Sequence, residues 1–204
     1  MIAGAPLQAG AEPARIGPNA IIRTVEALRE RLGAPAAGEV LRAAELEQYV
    51  TALPAAMVSE LDVIALYRSL RAQLDEQQAN AVAHAAGLKT ADYLLANRIP
   101  RPAQIVLRLL PARFASPLLL GSITRHTWTF AGSGTVSVIA GPPVRITIAG
   151  CPICRGATGK APLCTYYTAT FEGLFRTLVS ARSTVREIAC EASGAPACVF
   201  EIRS

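Results

Sequence analysis

The run EIACEASGAPACVF, residues 187 to 200, places Glu187 three residues before Cys190 and Cys190 eight residues before Cys198. With Cys164 upstream, these side chains offer three thiols and a carboxylate. Such donors suit a tetrahedral, borderline-soft cation such as zinc. The chain has five cysteines and no export signal at its N-terminus, which argues against a disulfide framework and for metal or thiol chemistry. Buried cysteines can also be plain small hydrophobes, and spacing alone does not separate the two readings. The strand pattern makes one demand of its own. Side chains alternate along a strand, so Glu187 and Cys190 share a site only if the strand ends or bulges between them.

Cys151 and Cys154 form a C-x2-C pair in CPIC. They read as a second thiol site, as half of a metal site, or as structural thiols. In RHTWTF the alternation predicts His126, Trp128 and Phe130 on one strand face, where two rings could meet a flat apolar ligand and His126 could offer a nitrogen to its metal. Arg125 and Arg145 could pair with carboxylate groups of such a ligand. Ordinary core packing for the rings, and solvation for the arginines, are the plainer alternatives. GATGKA fails as a phosphate loop, because Cys154 stands where a glycine is needed and Ala161 where a serine or threonine is needed. Neither a dinucleotide fingerprint nor a four-cysteine iron-sulfur pattern appears.

These residues need elements to position them. Asn19 is the predicted cap of a first helix carrying Ile21, Val25, Leu28 and Leu32 and ended by Gly33. A second helix is expected from Glu39 to about Ala52, and a third from the capping sequence SELD at Ser59, with Val63, Tyr67, Leu70 and Leu74 as its stripe. Gly87 is read as a helix end, with a short helix from Thr90 to Leu95. A helix after Pro100 carries Ile105, Val106, Leu109 and Leu110. HTWTF, TVSVIA and VRITIA then read as three strands separated by AGSG and GPP. A helix from about Cys164 and a hairpin of TVREIAC with CVFEI complete the pattern. The fold class expected is α+β, with a flexible tail over residues 1–18, a helical portion over 19–99 and a ligand-binding domain over 100–204.

At 204 residues the chain suffices for one full core. Hydrophobic residues make up 51 % and charged ones 17 %, and the mean hydropathy is +0.33. That surplus suits a pocket or an interface as well as a core. Its apolar runs are too interrupted by Arg108, Pro111 and Arg113 for a membrane span, and a cytoplasmic location is expected. The net charge of +5 is unevenly spread. From Asp92 to Glu172 no acidic residue intervenes, while Arg98, Arg101, Arg108, Arg113, Arg125, Arg145, Arg155 and Lys160 all fall there. This favours an anionic partner and is compatible with peripheral contact with a membrane. The basic residues lie among apolar ones without interleaved aromatics, so no nucleic-acid partner is expected.

The runs GCPICRGATGKAPLCTYYTATFEGLF and VREIACEASGAPACVFEI resemble the 4-vinyl reductase domain family over roughly residues 100 to 204. This ligand-binding module occurs in bacteriochlorophyll synthesis, in archaeal proteins and in phenol-sensing transcription activators. The resemblance implies a structural zinc held at Cys164, Glu187, Cys190 and Cys198, and a homodimer paired through helices. It further implies a part in reducing the vinyl group of a divinyl magnesium tetrapyrrole, a protochlorophyllide or chlorophyllide. Because no motif for a hydride donor is evident, a substrate carrier that works with pathway enzymes is the first expectation. The vinyl reductase itself and a zinc-containing small-molecule sensor are the alternatives.

Overall fold

The computed structural model describes residues 13–204, and its fold is α+β. Strand β1 (Arg15–Ile16) pairs antiparallel with β2 (Val58–Ser59), and Ile16 is buried. Of the tail expected over residues 1–18, residues 1–12 lie outside the described residues. Residues 13–18 depart from that expectation: besides the β1–β2 pairing and buried Ile16, the Glu60 N–H donates to the Ala14 carbonyl and the Gly17 N–H to the Thr129 carbonyl, each at 2.8 Å.

Helix α1 (Asn19–Ala43) follows Pro18, which takes the cap position expected for Asn19 and brings no side-chain bond. The helix breaks where expected, at Gly33, whose φ of 87° is open to glycine at little cost. It then resumes through Pro35 to Ala43. The helix expected over residues 39–52 is therefore divided, because Glu45 takes a φ of 59° and only the short α2 (Gln48–Thr51) follows.

Helix α3 (Glu60–Gln73) begins as SELD suggests, with Ser59 Oγ accepting the Leu61 N–H at 3.1 Å. Asp75 starts α4 (Glu76–Asn97) in the same way, its Oδ1 accepting the Gln78 N–H at 2.7 Å. Gly87 lies inside α4 and ends nothing. Its role is proximity, since a Cβ there would run into the Tyr166 carbonyl of α8 (Thr165–Leu178). A Cβ on Gly173 would likewise come within 2.7 Å of the Ala91 Cβ. Small residues thus bring α4 and α8 into backbone contact.

Between these helices the chain forms α5 (Arg101–Leu109), α6 (Ala112–Arg125) and the short α7 (Trp128–Ala131). Pro111 separates the first two. The last corrects the expected HTWTF strand: His126 closes α6 and Trp128 to Phe130 are helical.

Strands β3 (Thr135–Ile139), β4 (Val144–Ala149), β5 (Thr184–Ala189) and β6 (Cys198–Arg203) form an antiparallel sheet in the order β3-β4-β6-β5. The hairpins β3/β4 and β5/β6 are those the turn signals suggest. One face of the sheet packs on α8, where Tyr167, Phe171 and Phe200 meet with ring centroids 5.4 to 6.0 Å apart. Each such buried side chain contributes about 1.5–3 kcal/mol. The core is continuous from Ile16 to Ile202. Residue 100 therefore marks a change in element type and not a gap in packing. Among the described residues no helix is long and apolar enough to cross a membrane.

Candidate functional site

All five cysteines are buried and unpaired by disulfides, and they gather at one end of the sheet. Four structural devices bring them there. Cys164 takes the cap position of α8, without a side-chain hydrogen bond to the helix. Cys198 opens β6. The β5–β6 register shifts between Glu187 and Ala189, so an extra residue, Ile188, stands on the β5 side. This is the bulge the side-chain alternation demands, and it lets Glu187 and Cys190 serve one site. The fourth device is the loop after β4, which delivers Cys151 and Cys154.

Two overlapping sets result. Ligating atoms of Cys164, Glu187, Cys190 and Cys198 all lie within 4.8 Å of one another, and so do those of Cys151, Cys154, Cys164 and Cys198. The nearest sulfurs are Cys154–Cys198 at 3.4 Å, Cys151–Cys164 at 3.5 Å, Cys164–Cys198 at 3.6 Å and Cys190–Cys198 at 3.9 Å. A zinc tetrahedron with sulfur bonds of about 2.3 Å has edges of about 3.8 Å. These separations are close to the edges of such a tetrahedron.

The carboxylate offers an independent test of fit. Glu187 Oε2 accepts the Cys164 N–H at 2.8 Å, while Oε1 is buried without a hydrogen-bond partner. A buried oxygen of this kind is costly unless something cationic or a donor meets it. Burial, the largest influence, pushes the Glu187 carboxyl up to about 8. Hydrogen bonding with the Cys151 thiol, first among several sulfur neighbours, holds Cys154 well below the ordinary thiol range and pushes Cys164 and Cys198 above it. Crowded donors of this kind share protons poorly and fit a divalent cation well. The four residues expected as ligands thus come together as a set that could hold zinc. Cys151 and Cys154 belong to the same cluster, not to a separate one.

Residues that sequence reasoning passed over hold the Cys151–Cys154 loop. Glu191 accepts the N–H groups of Gly150 and Cys151 at 2.5 and 2.9 Å. Arg71 donates to the Ile153 carbonyl, and Arg155 to the Gly150 carbonyl. Arg155 also pairs at 3.2 Å with buried Glu60, which accepts the Ser133 N–H at 2.8 Å. Glu191 carried one signal, its position directly after Cys190.

The expected aromatic face does not form. Phe130 packs edge-on against Tyr167 and Phe171, Trp128 is exposed, and the His126 ring Nδ1 lies 2.8 Å from the Ser122 carbonyl. Arg125 donates to the Gly121 carbonyl within its own helix, and Arg145 pairs with Glu201 at 3.1 Å. An open cleft of about 610 Å³ lies elsewhere, between α6, the β3–β4 turn and the end of β6. Arg113, Ser116, Pro117, Pro143, Val144 and Ile202 are among its lining. Next to it on the chain, α5 and α6 leave Ile105, Val106, Leu109, Phe114 and Leu118 exposed among Arg101, Arg108 and Arg113.

The family model of the 4-vinyl reductase domain matches residues 144–204, the segment that contains all six candidate ligands. The chain is 43 % identical over 188 residues to the bacteriochlorophyll synthase 23 kDa chain of Cereibacter sphaeroides, covering 92 % of this chain and 90 % of that one. To the bacteriochlorophyll synthase 23 kDa chain of Rhodobacter capsulatus it is 38 % identical over 200 residues, covering 98 % and 92 %. A crystal structure of a vinyl-4-reductase family protein from Methanocaldococcus jannaschii matches with a TM-score of 0.36 and 16 % identity, over 57 % of this chain and 74 % of that one.

Proposed function

Because the chain belongs to the family of bacteriochlorophyll synthase 23 kDa chains, with a role in bacteriochlorophyll biosynthesis, we propose that it binds a divinyl magnesium tetrapyrrole and presents it to the enzyme that reduces the vinyl group. The observation that carries this reading is the apolar, arginine-flanked surface of α5 and α6 beside the cleft. Leu109 is 79 % exposed, and Ile105, Val106, Phe114 and Leu118 are each more than half exposed. A flat macrocycle with apolar edges and a carboxylate tail suits that combination, since apolar patches with placed cations are what such ligands require.

Zinc, held in this reading by Cys164, Glu187, Cys190 and Cys198, acts as a staple. It joins the start of α8 to both strands of the last hairpin and supplies folding energy, not chemistry on the pigment. His126 and Arg145 lie outside the residues lining the cleft, and Arg145 pairs with Glu201.

A Soret-band titration of the purified protein with divinyl protochlorophyllide, without any reductant, tests the proposal. A saturable red shift at one pigment per site is the expected result. An unshifted spectrum at micromolar protein overturns it.

A further inference from the structure

The two ligand sets have Cys164 and Cys198 in common and no other member. Six donors thus fall into two groups of four with two shared. This is the count for two tetrahedra joined along one edge, where eight coordination places are filled by six donors and two of the thiolates each serve both sides. We propose that the chain holds two zinc-class divalent cations, bridged by the Cys164 and Cys198 thiolates. Cys151 and Cys154 complete one tetrahedron, and Glu187 and Cys190 complete the other. The proposal rests on the reading of this cluster as a metal centre and adds a second metal to it.

The distances on both sides of the shared edge carry the argument. The edge itself, Cys164–Cys198, measures 3.6 Å. On one side Cys151 stands 3.5 Å from Cys164 and Cys154 stands 3.4 Å from Cys198. On the other Cys190 stands 3.9 Å from Cys198. All are close to the edge of about 3.8 Å that a tetrahedral zinc thiolate sets. The C-x2-C spacing of Cys151 and Cys154 is itself the usual way for two thiolates to reach one zinc.

Donor count argues the same way. One dication in either set leaves two of the six buried donors without a metal. A second dication gives those donors a partner, and each coordinated sulfur loses its proton to solvent as the metal enters. One bridging sulfur also has a backbone donor, since Cys198 Sγ accepts the Glu191 N–H at 3.5 Å. Finally, the Cys151–Cys154 loop is held to the rest of the fold by groups that are not ligands: Glu191 and Arg71 bond its backbone, and Arg155 at its end pairs with Glu60. A loop held by three such ties points to a built site and not to a chance approach.

Elemental analysis and native mass spectrometry of the full chain, purified from zinc-supplemented cells without added chelator, read the stoichiometry directly. Two equivalents of zinc per chain are expected. The protein reloaded with cadmium-113 is expected to show two resonances coupled to each other through the shared thiolates. The double substitution Cys151→Ser and Cys154→Ser is expected to remove one equivalent and one resonance. One equivalent in the unmodified protein overturns the proposal while a single-metal centre stands, and two uncoupled resonances overturn the shared thiolate bridge. No bound metal overturns both. The pigment titration is independent of every one of these outcomes, so failure of the carrier reading is distinguishable from failure of this one.

Discussion

The Glu191 carboxylate accepts the backbone N–H of Cys151 at 2.9 Å, so the residue that follows one cysteine of the cluster sets the position of another far back along the chain. The same carboxylate holds Gly150, and two charge-assisted bonds from one side chain are worth about 2 kcal/mol together once desolvation is counted. Glu191→Ala is expected to lower stability by about that amount. It should also speed thiol labelling at Cys151 and Cys154 at least tenfold, with Cys164 and Cys198 less affected. Equal rates in the variant and the parent protein would show that the loop is held without it.

Metal removal should act on folding. A strong chelator is expected to lower the melting temperature by several degrees, which corresponds to about 2–3 kcal/mol in a chain of this size. Cys198→Ser, which removes a donor from both ligand sets, should abolish the chelator's effect; Cys154→Ser, which touches only one, should leave part of it. Differential scanning fluorimetry with and without chelator measures both.

The α4–α8 contact gives a prediction with a built-in control. Gly87→Ala forces a methyl against the Tyr166 backbone and is expected to cost about 3 kcal/mol, the upper part of the range for overpacking. At Gly121, in α6, a Cβ meets nothing within 4 Å. Gly121→Ala should therefore stabilise by up to about 1 kcal/mol through helix propensity. Urea denaturation midpoints of the two variants are expected to move in opposite directions.

Alkali should unfold the protein through its buried tyrosines. Burial is the main cause that pushes Tyr49 and Tyr166 up to about 12 and Tyr67 and Tyr167 well above the ordinary phenol range. Unfolded tyrosines lose their protons near about pH 10. The unfolded chain thus binds fewer protons than the folded one above that pH. Stability present below about pH 10 is therefore lost as pH rises towards about 12. Tyrosinate absorbance should rise in step with loss of the helical circular dichroism signal, and a titration of all tyrosines ahead of unfolding would contradict this.

Leu109→Asp tests the apolar face. The side chain is exposed, so the melting temperature should stay within the range of about 0.5 kcal/mol usual for surface changes. Pigment affinity in the Soret titration is expected to fall about tenfold, which is about 1.4 kcal/mol. An unchanged affinity would move the pigment off this helix.

The site was more legible in the sequence than the path to it. Spacing and resemblance singled out Cys164, Glu187, Cys190 and Cys198, and the alternation rule required the bulge found at Ile188. Cys151 and Cys154 could not be assigned to the same cluster, because a C-x2-C pair says how its own sulfurs converge and nothing about which loop it meets. That is decided by Glu191 and Arg71, acting from other parts of the fold, and by the pairing of Arg155 with Glu60. HTWTF failed for a different reason. Five residues are too few to separate a period of two from one of about 3.6, and the packing of Phe130 on Tyr167 and Phe171 settles the matter from outside the segment. Gly87 was read through its low helix propensity, whereas its position is set by the absence of a side chain where two backbones touch.

The strand order β3-β4-β6-β5 has a consequence for how the protein is made. A ribosome delivers β3, β4, α8 and β5 before β6, yet β6 is the strand that joins β4 to β5. Until it arrives, the nascent chain carries a hairpin and a lone strand that share no ladder, each with an unpaired inner edge. Open edges of this kind invite pairing with neighbouring chains. Cys198, the first residue of β6 and a member of both ligand sets, enters at the same moment. Sheet closure and completion of the cysteine cluster therefore both wait on β6 and become a single event, and the interval before it is when the open edges are exposed.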